Sequence, residues 1–249
     1  MSLFKNSKEL GLIREKIIKA QEERALMGKK LSPNSKLIKE YKNYLPTTLP
    51  QKYFSIILGH MLGDVSLKHN SNTKQTCIKF EWGKQAYADY VYGLLKPYIL
   101  SPPRVQTRKN ASGNLVTTYC FQTISHRSFN VFYDLFIVEG KKTVIKGLIK
   151  NYLTPLALAT WYMDDGSLTD YRSGHGQGVQ LHTQGFTKEA VEQMVTELND
   201  KYQFNCWMRL VKKGRLPIIC LPSESYSLFY EIVKDYVDSS MIHKLPKPK

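Results

Sequence analysis

Apolar residues recur at helical spacing from the start of the chain. Leu10, Ile13, Ile17 and Ile18 fall on one side, with Lys and Arg filling the others. In the following segment, LSPNSKLIKEYKNYLP, Ser35 is placed to cap a short helix that Pro46 breaks. After that the pattern repeats itself. A helix over Tyr53–Gly63 leads to an alternating strand, Ile78-Lys79-Phe80-Glu81-Trp82, and a helix over Ala86–Tyr98 stops at the Ser-Pro-Pro turn of 101–103. Strands Arg104–Lys109 and Leu115–Phe121 are split by the turn signal Asn110-Ala-Ser-Gly113, and a helix over Ser128–Val138 closes the half. The same order returns: helix Pro155–Asp164, strand Gly178–Thr183, helix Lys188–Tyr202, strands Phe204–Val211 and Arg215–Leu221 split by Lys212-Lys213-Gly214, and helix Tyr226–Tyr236. Each half reads αββαββα, although its first strand carries little signal. A repeat of about 100 residues is too long for a solenoid. It predicts an α+β fold of two pseudo-symmetric halves (49–150 and 151–249) behind a basic helical extension (1–48).

The repeat pairs two acidic helix ends. Asp64 ends one apolar helix and Asp164-Asp165 ends the other, at a spacing of 165 − 64 = 101. One Asp near a helix end is an ordinary turn former; two at the repeat spacing point to a site. A helix C-terminus carries partial negative charge, so a carboxylate there sits in an unfavourable field. If the helices pack side by side, the carboxylates also repel, and a cation must compensate. Oxygen-ligated divalent ions suit such a place, Mg²⁺ above all, and main-chain oxygens at the helix ends (Gly63, Asp164) can add ligands. Gly59 and Gly63, one turn apart, leave a groove for a partner backbone, and Ala157 and Ala159 offer small residues on the other helix.

Composition narrows the partner. Among 249 residues, 36 Lys/Arg oppose 21 Asp/Glu, a formal charge of +15. So basic a chain usually meets a polyanion, nucleic acid being the commonest, although a compositional bias of the genome gives the same excess. Through residue 50 there are 11 Lys/Arg against 5 Glu, so the extension either lies on DNA or docks as an amphipathic helix on the core. The four cysteines (77, 120, 206, 220) form no CxxC pair and suit no zinc module, which fits reduced thiols in an intracellular compartment. The longest apolar run, Phe54 to Leu62, is far short of the roughly 20 residues of a membrane span. The N-terminus lacks an apolar signal core, and Glu9, Glu15, Glu22 and Glu23 argue against an organellar transit peptide.

The two helix ends, Ile57-Leu-Gly-His-Met-Leu-Gly-Asp64-Val65 and Leu158-Ala-Thr-Trp-Tyr-Met-Asp-Asp165-Gly166, resemble the nine-residue signature of the LAGLIDADG homing endonucleases. Segments PNSKLIKEYK (33–42), ILSPP (99–103), LFIV (135–138), KKT (141–143), NYLTP (151–155), MDDG (163–166) and HKLP (243–246) look like the single-chain, two-motif members encoded in yeast mitochondrial introns. The likeness spans residues 33 to 247. It implies two αββαββα halves, a central pair of motif helices, and two antiparallel sheets forming a saddle over DNA. It implies Asp64 and Asp165 as metal-binding catalytic residues sharing two or three divalent ions. It also points to Lys142 and Lys244, spaced 244 − 142 = 102 and so again at the repeat, as catalytic residues that stabilise charge on the phosphate or orient water. The chemistry implied is metal-assisted hydrolysis of a phosphodiester in each strand, a double-strand break with short 3′ overhangs. No Ser–His or Cys–His set speaks for a covalent route. The first motif departs at His60 and Leu62, where a leucine and an aspartate are usual, and at Val65 for the final glycine; the second has Thr160 for a glycine. Both aspartates survive, but the halves need not be equivalent.

Strand alternation then nominates side chains for DNA. Arg104, Gln106 and Arg108 share a face, as do Gln180, His182 and Gln184, and Asn205, Trp207 and Arg209 oppose Phe204, Cys206, Met208 and Leu210, with the apolar faces packing inward. Lys79 belongs with the first strand. Arg, Gln, Asn and His are types that read base edges. Lys68, Lys74, Lys109, Arg172, Lys212, Lys213 and Arg215, in or near loops, suit phosphates. The expected partner is double-stranded DNA, bound by a monomer without membrane attachment or small-molecule cofactor. Resemblance adds a mitochondrial or chloroplast setting, with a bacterial cytoplasm as the other. An RNA maturase, or a non-cleaving DNA-binding protein on the same scaffold, remains the alternative; neither needs the acidic pair intact.

Overall fold

The structure is a computed structural model that describes residues 7–170 and 177–248. In chain order its main elements are α1 (Ser7–Leu26), α2 (Lys36–Tyr44), α3 (Gln51–Leu62), β1 (Ser66–Asn70), β2 (Gln75–Trp82), α4 (Gln85–Leu95), β3 (Arg104–Lys109), β4 (Leu115–Gln122), α5 (Asn130–Phe136), β5 (Ile137–Val138), β6 (Lys141–Lys142), α6 (Leu148–Tyr152), α7 (Pro155–Asp165), β7 (Gly166–Asp170), β8 (Gln177–Leu181), α8 (Lys188–Tyr202), β9 (Trp207–Val211), β10 (Leu216–Leu221) and α9 (Tyr226–Val233). The weakly signalled first strands are β1 and β7, each directly after a motif. By contact, the chain groups as Met1–Pro50 with Leu67–Asn130, and Gln51–Ser66 with Val131–Lys249. This differs from the sequential division at 48 and 150, because α3 buries its apolar face against α7 and so travels with the second half.

In the first unit an antiparallel sheet of order β1-β2-β4-β3 carries α4 over β2 and β4. Phe80 stacks on Phe121 (5.0 Å), and Trp82 meets Tyr87 edge-on (5.1 Å). The N-terminal helices dock within this unit. Leu10, Ile13, Ile17, Ile38 and Tyr41 are buried, Arg14 donates to the Tyr92 hydroxyl and the Ile99 carbonyl (both 3.2 Å), and Tyr41 donates to the Pro97 carbonyl (2.7 Å). Ser35 caps α2, accepting from the Ile38 amide.

In the second unit an antiparallel sheet of order β7-β8-β10-β9 packs its apolar face on α8. Thr154 caps α7, accepting from the Ala157 amide, and Pro155 takes the first helical position. The preceding short helix, α6, is clamped at both ends by α8. Glu197, 4% exposed, accepts from the amides of Gly147 (2.6 Å) and Lys150 (3.0 Å), while Lys201 donates to the carbonyls of Ile149 (3.1 Å) and Lys150 (2.8 Å). Glu197→Ala strands two amides and is expected to lower stability by roughly 3 kcal/mol in urea denaturation.

α3 and α7 approach backbone to backbone. A Cβ at Gly59 would lie 2.3 Å from the Ala157 carbonyl and 2.7 Å from Thr160 Cβ. Only glycine permits that crossing. At its N-terminal end the Thr154 hydroxyl meets Ser55 Oγ at 2.9 Å.

Three expectations need correction. The strand expected from Phe204 begins at Trp207, because Gln203 (φ 58) and Asn205 (φ 53) adopt left-handed backbone and the Asn199 side chain holds both main-chain groups of Cys206 (2.6 and 2.9 Å). Asn205 is therefore outside the strand face on which alternation placed it. The apolar positions of the outer strands do not all pack inward: Val105 is 64% and Leu210 37% exposed, since β3 and β9 are edge strands. The helix expected over Ser128–Val138 ends at Phe136; Ile137–Val138 turn through Glu139 (φ 51) and Gly140 (φ 76) into β6. Two consecutive positive φ values are what a two-residue hairpin turn requires.

Candidate active site

The second unit gathers both acidic helix ends. α3 stops at Leu62, so Asp64 is exposed in the turn beyond it, whereas Asp165 is the last residue of α7 and half-buried. The β5–β6 hairpin delivers Lys142, whose ammonium donates to the carbonyls of Gly63 (2.8 Å) and Val65 (3.1 Å). The 3-10 turn Ser239–Lys244 delivers Lys244, whose ammonium donates to the Met163 carbonyl (2.8 Å). The Lys244 carbonyl in turn accepts from the Tyr162 hydroxyl. Each lysine thus sits on the carbonyl end of one motif helix, where the helix field favours a cation.

A cleft of about 200 Å³ opens here, lined by Leu62, Gly63, Asp64, Lys142, Asp165, His182, Gln184, Gly185 and Phe186. The His182 amide donates to the Asp165 carbonyl (2.9 Å), and its ring meets the Ser167 hydroxyl (2.9 Å) and the Gln184 amide nitrogen (3.3 Å). Lys142 lies 5.5 Å from the centre of the Phe186 ring. Asp164 behaves differently from its neighbour. Its side chain is 1% exposed, and its Oδ2 accepts from the Asp64 amide at 3.1 Å. The carboxylate therefore belongs to the helix interface, and what solvent Asp164 meets is at its backbone.

Burial, then the charges of Asp64 and Asp164, push the Asp165 carboxyl up to about 8, against the pull of Lys142 and Lys244. Burial lowers Lys142, opposed by Asp165, Asp164 and Asp64. Burial also lowers His182, helped by Lys244 and Arg209 and opposed by Asp64. Among the described residues no group of three or more His, Cys, Asp or Glu is arranged to hold a metal ion. Two carboxylates with main-chain oxygens are the donor set present.

The remaining nominated residues lie on the two sheets and their turns. In the first unit, register puts Lys79, Arg104, Gln106 and Arg108 on one polar face with Glu81, Thr118 and Cys120. There Arg108 pairs with Glu81 (2.9 Å) and Arg104 Nε reaches Cys120 Sγ (3.3 Å). Lys68 on β1, Lys74 in the β1–β2 turn and Lys109 at the end of β3 are exposed. In the second unit Gln180, Trp207 and Arg209 share a face across Cys220 and Ile218. Lys212 and Lys213 (φ 50 and 59) form the β9–β10 turn, with Arg215 exposed after them. His182 and Gln184, nominated for base reading, line the cleft. Arg172 lies outside the described residues. Sequence reasoning missed Ser167 and Phe186, and saw His60 only as a departure from the motif.

Residues 54–229 match the LAGLIDADG DNA endonuclease family. The chain belongs to that family. A probable intron-encoded endonuclease 1 of Wickerhamomyces canadensis is 39% identical over 216 residues, covering 86% of this chain and 92% of that protein. The solved structure of the homing endonuclease I-WcaI bound to its DNA recognition sequence superposes with a TM-score of 0.82 at 38% identity, covering 91% of this chain and 99% of that one. The cytochrome b mRNA maturase bI2 of Saccharomyces cerevisiae is 31% identical over 208 residues, covering 79% of this chain and 48% of that protein. This LAGLIDADG chain thus has the family's α+β fold of helices and antiparallel sheets. Among its described residues no helix is long and apolar enough to cross a membrane.

Proposed function

We propose that the chain is a site-specific, intron-encoded homing endonuclease that, as a monomer, makes a double-strand break in DNA with Mg²⁺ at one site built on Asp64 and Asp165. The observation that carries the reading is the cleft in which both aspartates meet Lys142, with Lys244 on the opposite helix end. Likeness to the DNA-bound homing endonuclease supports the partner. Mg²⁺ is commonly held by one or two carboxylates, waters and substrate phosphates rather than by an all-protein cage, so a two-carboxylate site without a third acidic ligand fits it. Asp165 is raised by burial and then by the charges of Asp64 and Asp164, and such an ion would offset both. Asp64 and Asp165 would hold the ions, with the main chain of Gly63 and Asp164 beside them. Bound there, a divalent ion supplies Lewis acidity toward phosphate and a lower pKa for water.

The protein's own groups do the rest. Lys142 and Lys244 place positive charge where the phosphate gains negative charge. His182 and Gln184 offer ring and amide groups to order water in the cleft. The polar faces carrying Arg104, Gln106, Arg108, Lys79, Gln180, Trp207 and Arg209 read bases, and Lys68, Lys74, Lys109, Lys212, Lys213 and Arg215 hold phosphates. A second reading, assistance to intron splicing, rests on the likeness to the maturase. It needs no acidic pair, and both aspartates are present here.

Selection decides between them: a randomised duplex library is incubated with the protein and Mg²⁺, and the ends are sequenced. A single long consensus with short 3′ overhangs is expected; uncut DNA beside a stimulated splicing reaction would favour the second reading.

A linked prediction follows from Asp165. The folded state holds its proton more tightly than the unfolded chain, so metal-free protein loses stability as pH rises from the ordinary 3.8 through about 8. The same proton competes with the ion. Mg²⁺ is therefore expected to raise Tm more near pH 8.5 than near pH 6, and to release protons on binding at about pH 7. Thermal scans and calorimetry in two buffers check this; equal Tm gains at both pH values would contradict it.

A further inference from the structure

Equivalent places in the two motifs carry different residues: Gly63 follows α3, and Asp164 lies in the last turn of α7. A Cβ at Gly63 would lie 2.3 Å from Asp164 Oδ2, so the carboxylate fills space that only glycine leaves. From there Oδ2 accepts from the Asp64 amide (3.1 Å) and stands 3.5 Å from His60 Nδ1. Both side chains are sealed in the interface, His60 at 0% and Asp164 at 1% exposure. The contact has no mirror image, because Gly63 has no side chain to reach the Asp165 amide. Asp165 is held as part of α7 and through its carbonyl, which accepts from the His182 amide (2.9 Å). Asp64 lies beyond its helix, where Lys142 holds the flanking carbonyls of Gly63 and Val65 but not the Asp64 amide. The Asp164 carboxyl oxygen on that amide fixes the remaining freedom of the turn.

We propose that Asp164, buried beside His60, is a positioning residue for Asp64, and that the two strands of the target therefore depend on it unequally. This rests on reading Asp64 and Asp165 as the metal-binding pair. The test uses a duplex carrying the selected site, each strand labelled separately, cut under single turnover by excess protein with Mg²⁺. Misplacing a catalytic group by about 1 Å can cost on the order of 100-fold. Asp164→Ala is accordingly expected to slow one strand by about 10- to 100-fold and the other by less than about threefold, so that nicked duplex accumulates while DNA affinity is kept. Asp164→Asn, whose side-chain oxygen can accept from the same amide, restores most of the lost rate. Native-state amide exchange of the unmodified protein gives a reading without any variant: the Asp64 amide is expected to be protected.

Equal slowing of both strands, unchanged rates, or an Asp64 amide exchanging as in a free peptide overturns the positioning role. If Asp64→Asn is inactive while Asp164→Ala cuts both strands at the wild-type ratio, the positioning role alone falls. If Asp64→Asn still cuts both strands, the metal-site reading falls and takes the positioning role with it.

Discussion

Asp165→Asn is expected to slow cleavage of both strands by at least about 10³-fold, near 4 kcal/mol of barrier, with DNA affinity held or improved. Asparagine keeps the shape of the side chain but removes the charge that attracts a divalent ion. Asp165 is the group on which burial and the charges of Asp64 and Asp164 converge, so its ionisation is the most costly in the cleft without metal. Removing that charge should also stabilise metal-free protein above about pH 8 and abolish the gain in Tm on adding Mg²⁺. Both strands are expected to suffer because the substitution removes a charge that the proposed shared ions need, whereas a displaced Asp64 would keep its charge. Binding is expected to survive because the proposed phosphate contacts are basic residues of the sheets and their turns rather than the aspartates; affinity itself should fall steeply with added salt. Strand-resolved rates, filter binding and thermal scans on one preparation separate these effects.

The second large effect concerns the helix crossing. Gly59→Ala is expected to destabilise the protein by roughly 3 kcal/mol, the upper end for overpacking, and to lower cleavage with it. In an open helix the same change would help by about 1 kcal/mol, since alanine is the better helix former. At Gly59 the new methyl would lie 2.3 Å from the Ala157 carbonyl and 2.9 Å from the Trp161 amide nitrogen, both backbone atoms that no side-chain rotation can move. The helices must part, and the aspartates at their ends part with them. Gly93→Ala in α4 is the matching control: a Cβ there meets nothing within 4 Å, and a neutral or stabilising result is expected. Urea denaturation of both variants gives the comparison; equal effects would mean that the crossing tolerates more than its geometry allows.

Much of this was legible in the residues because the chain carries its pattern twice. Asp64 with Asp165, and Lys142 with Lys244, stand at nearly equal spacing, so a duplicated fold brings each pair to related places. The structure gives the lysines a specific task, one on each motif helix's carbonyls. Other features lie below what periodicity can show. A two-residue strand such as β6 has no period, and the signal that would have found it is the Glu139-Gly140 turn between Ile137-Val138 and Lys141-Lys142. The turn at Gln203 and Asn205 looks like strand because Phe204 and Cys206 are buried, yet the Asn199 side chain holds that segment in place of a neighbouring strand. Asp164 looks like a twin of Asp165 in the sequence. Only the crossing of α3 and α7 shows that one carboxylate lines the cleft and the other is buried against Gly63.

The proposed function requires that two helix-end aspartates form one metal-dependent site for both strands. Its most direct test is cleavage of the selected DNA site by the Asp64→Asn, Asp165→Asn double variant beside the unmodified protein, each with Mg²⁺ and with EDTA. Only the unmodified protein with Mg²⁺ is expected to yield a double-strand break, while the double variant binds the same DNA and leaves both strands whole. A double variant that still cuts with Mg²⁺, or unmodified protein that cuts equally well in EDTA, would contradict it.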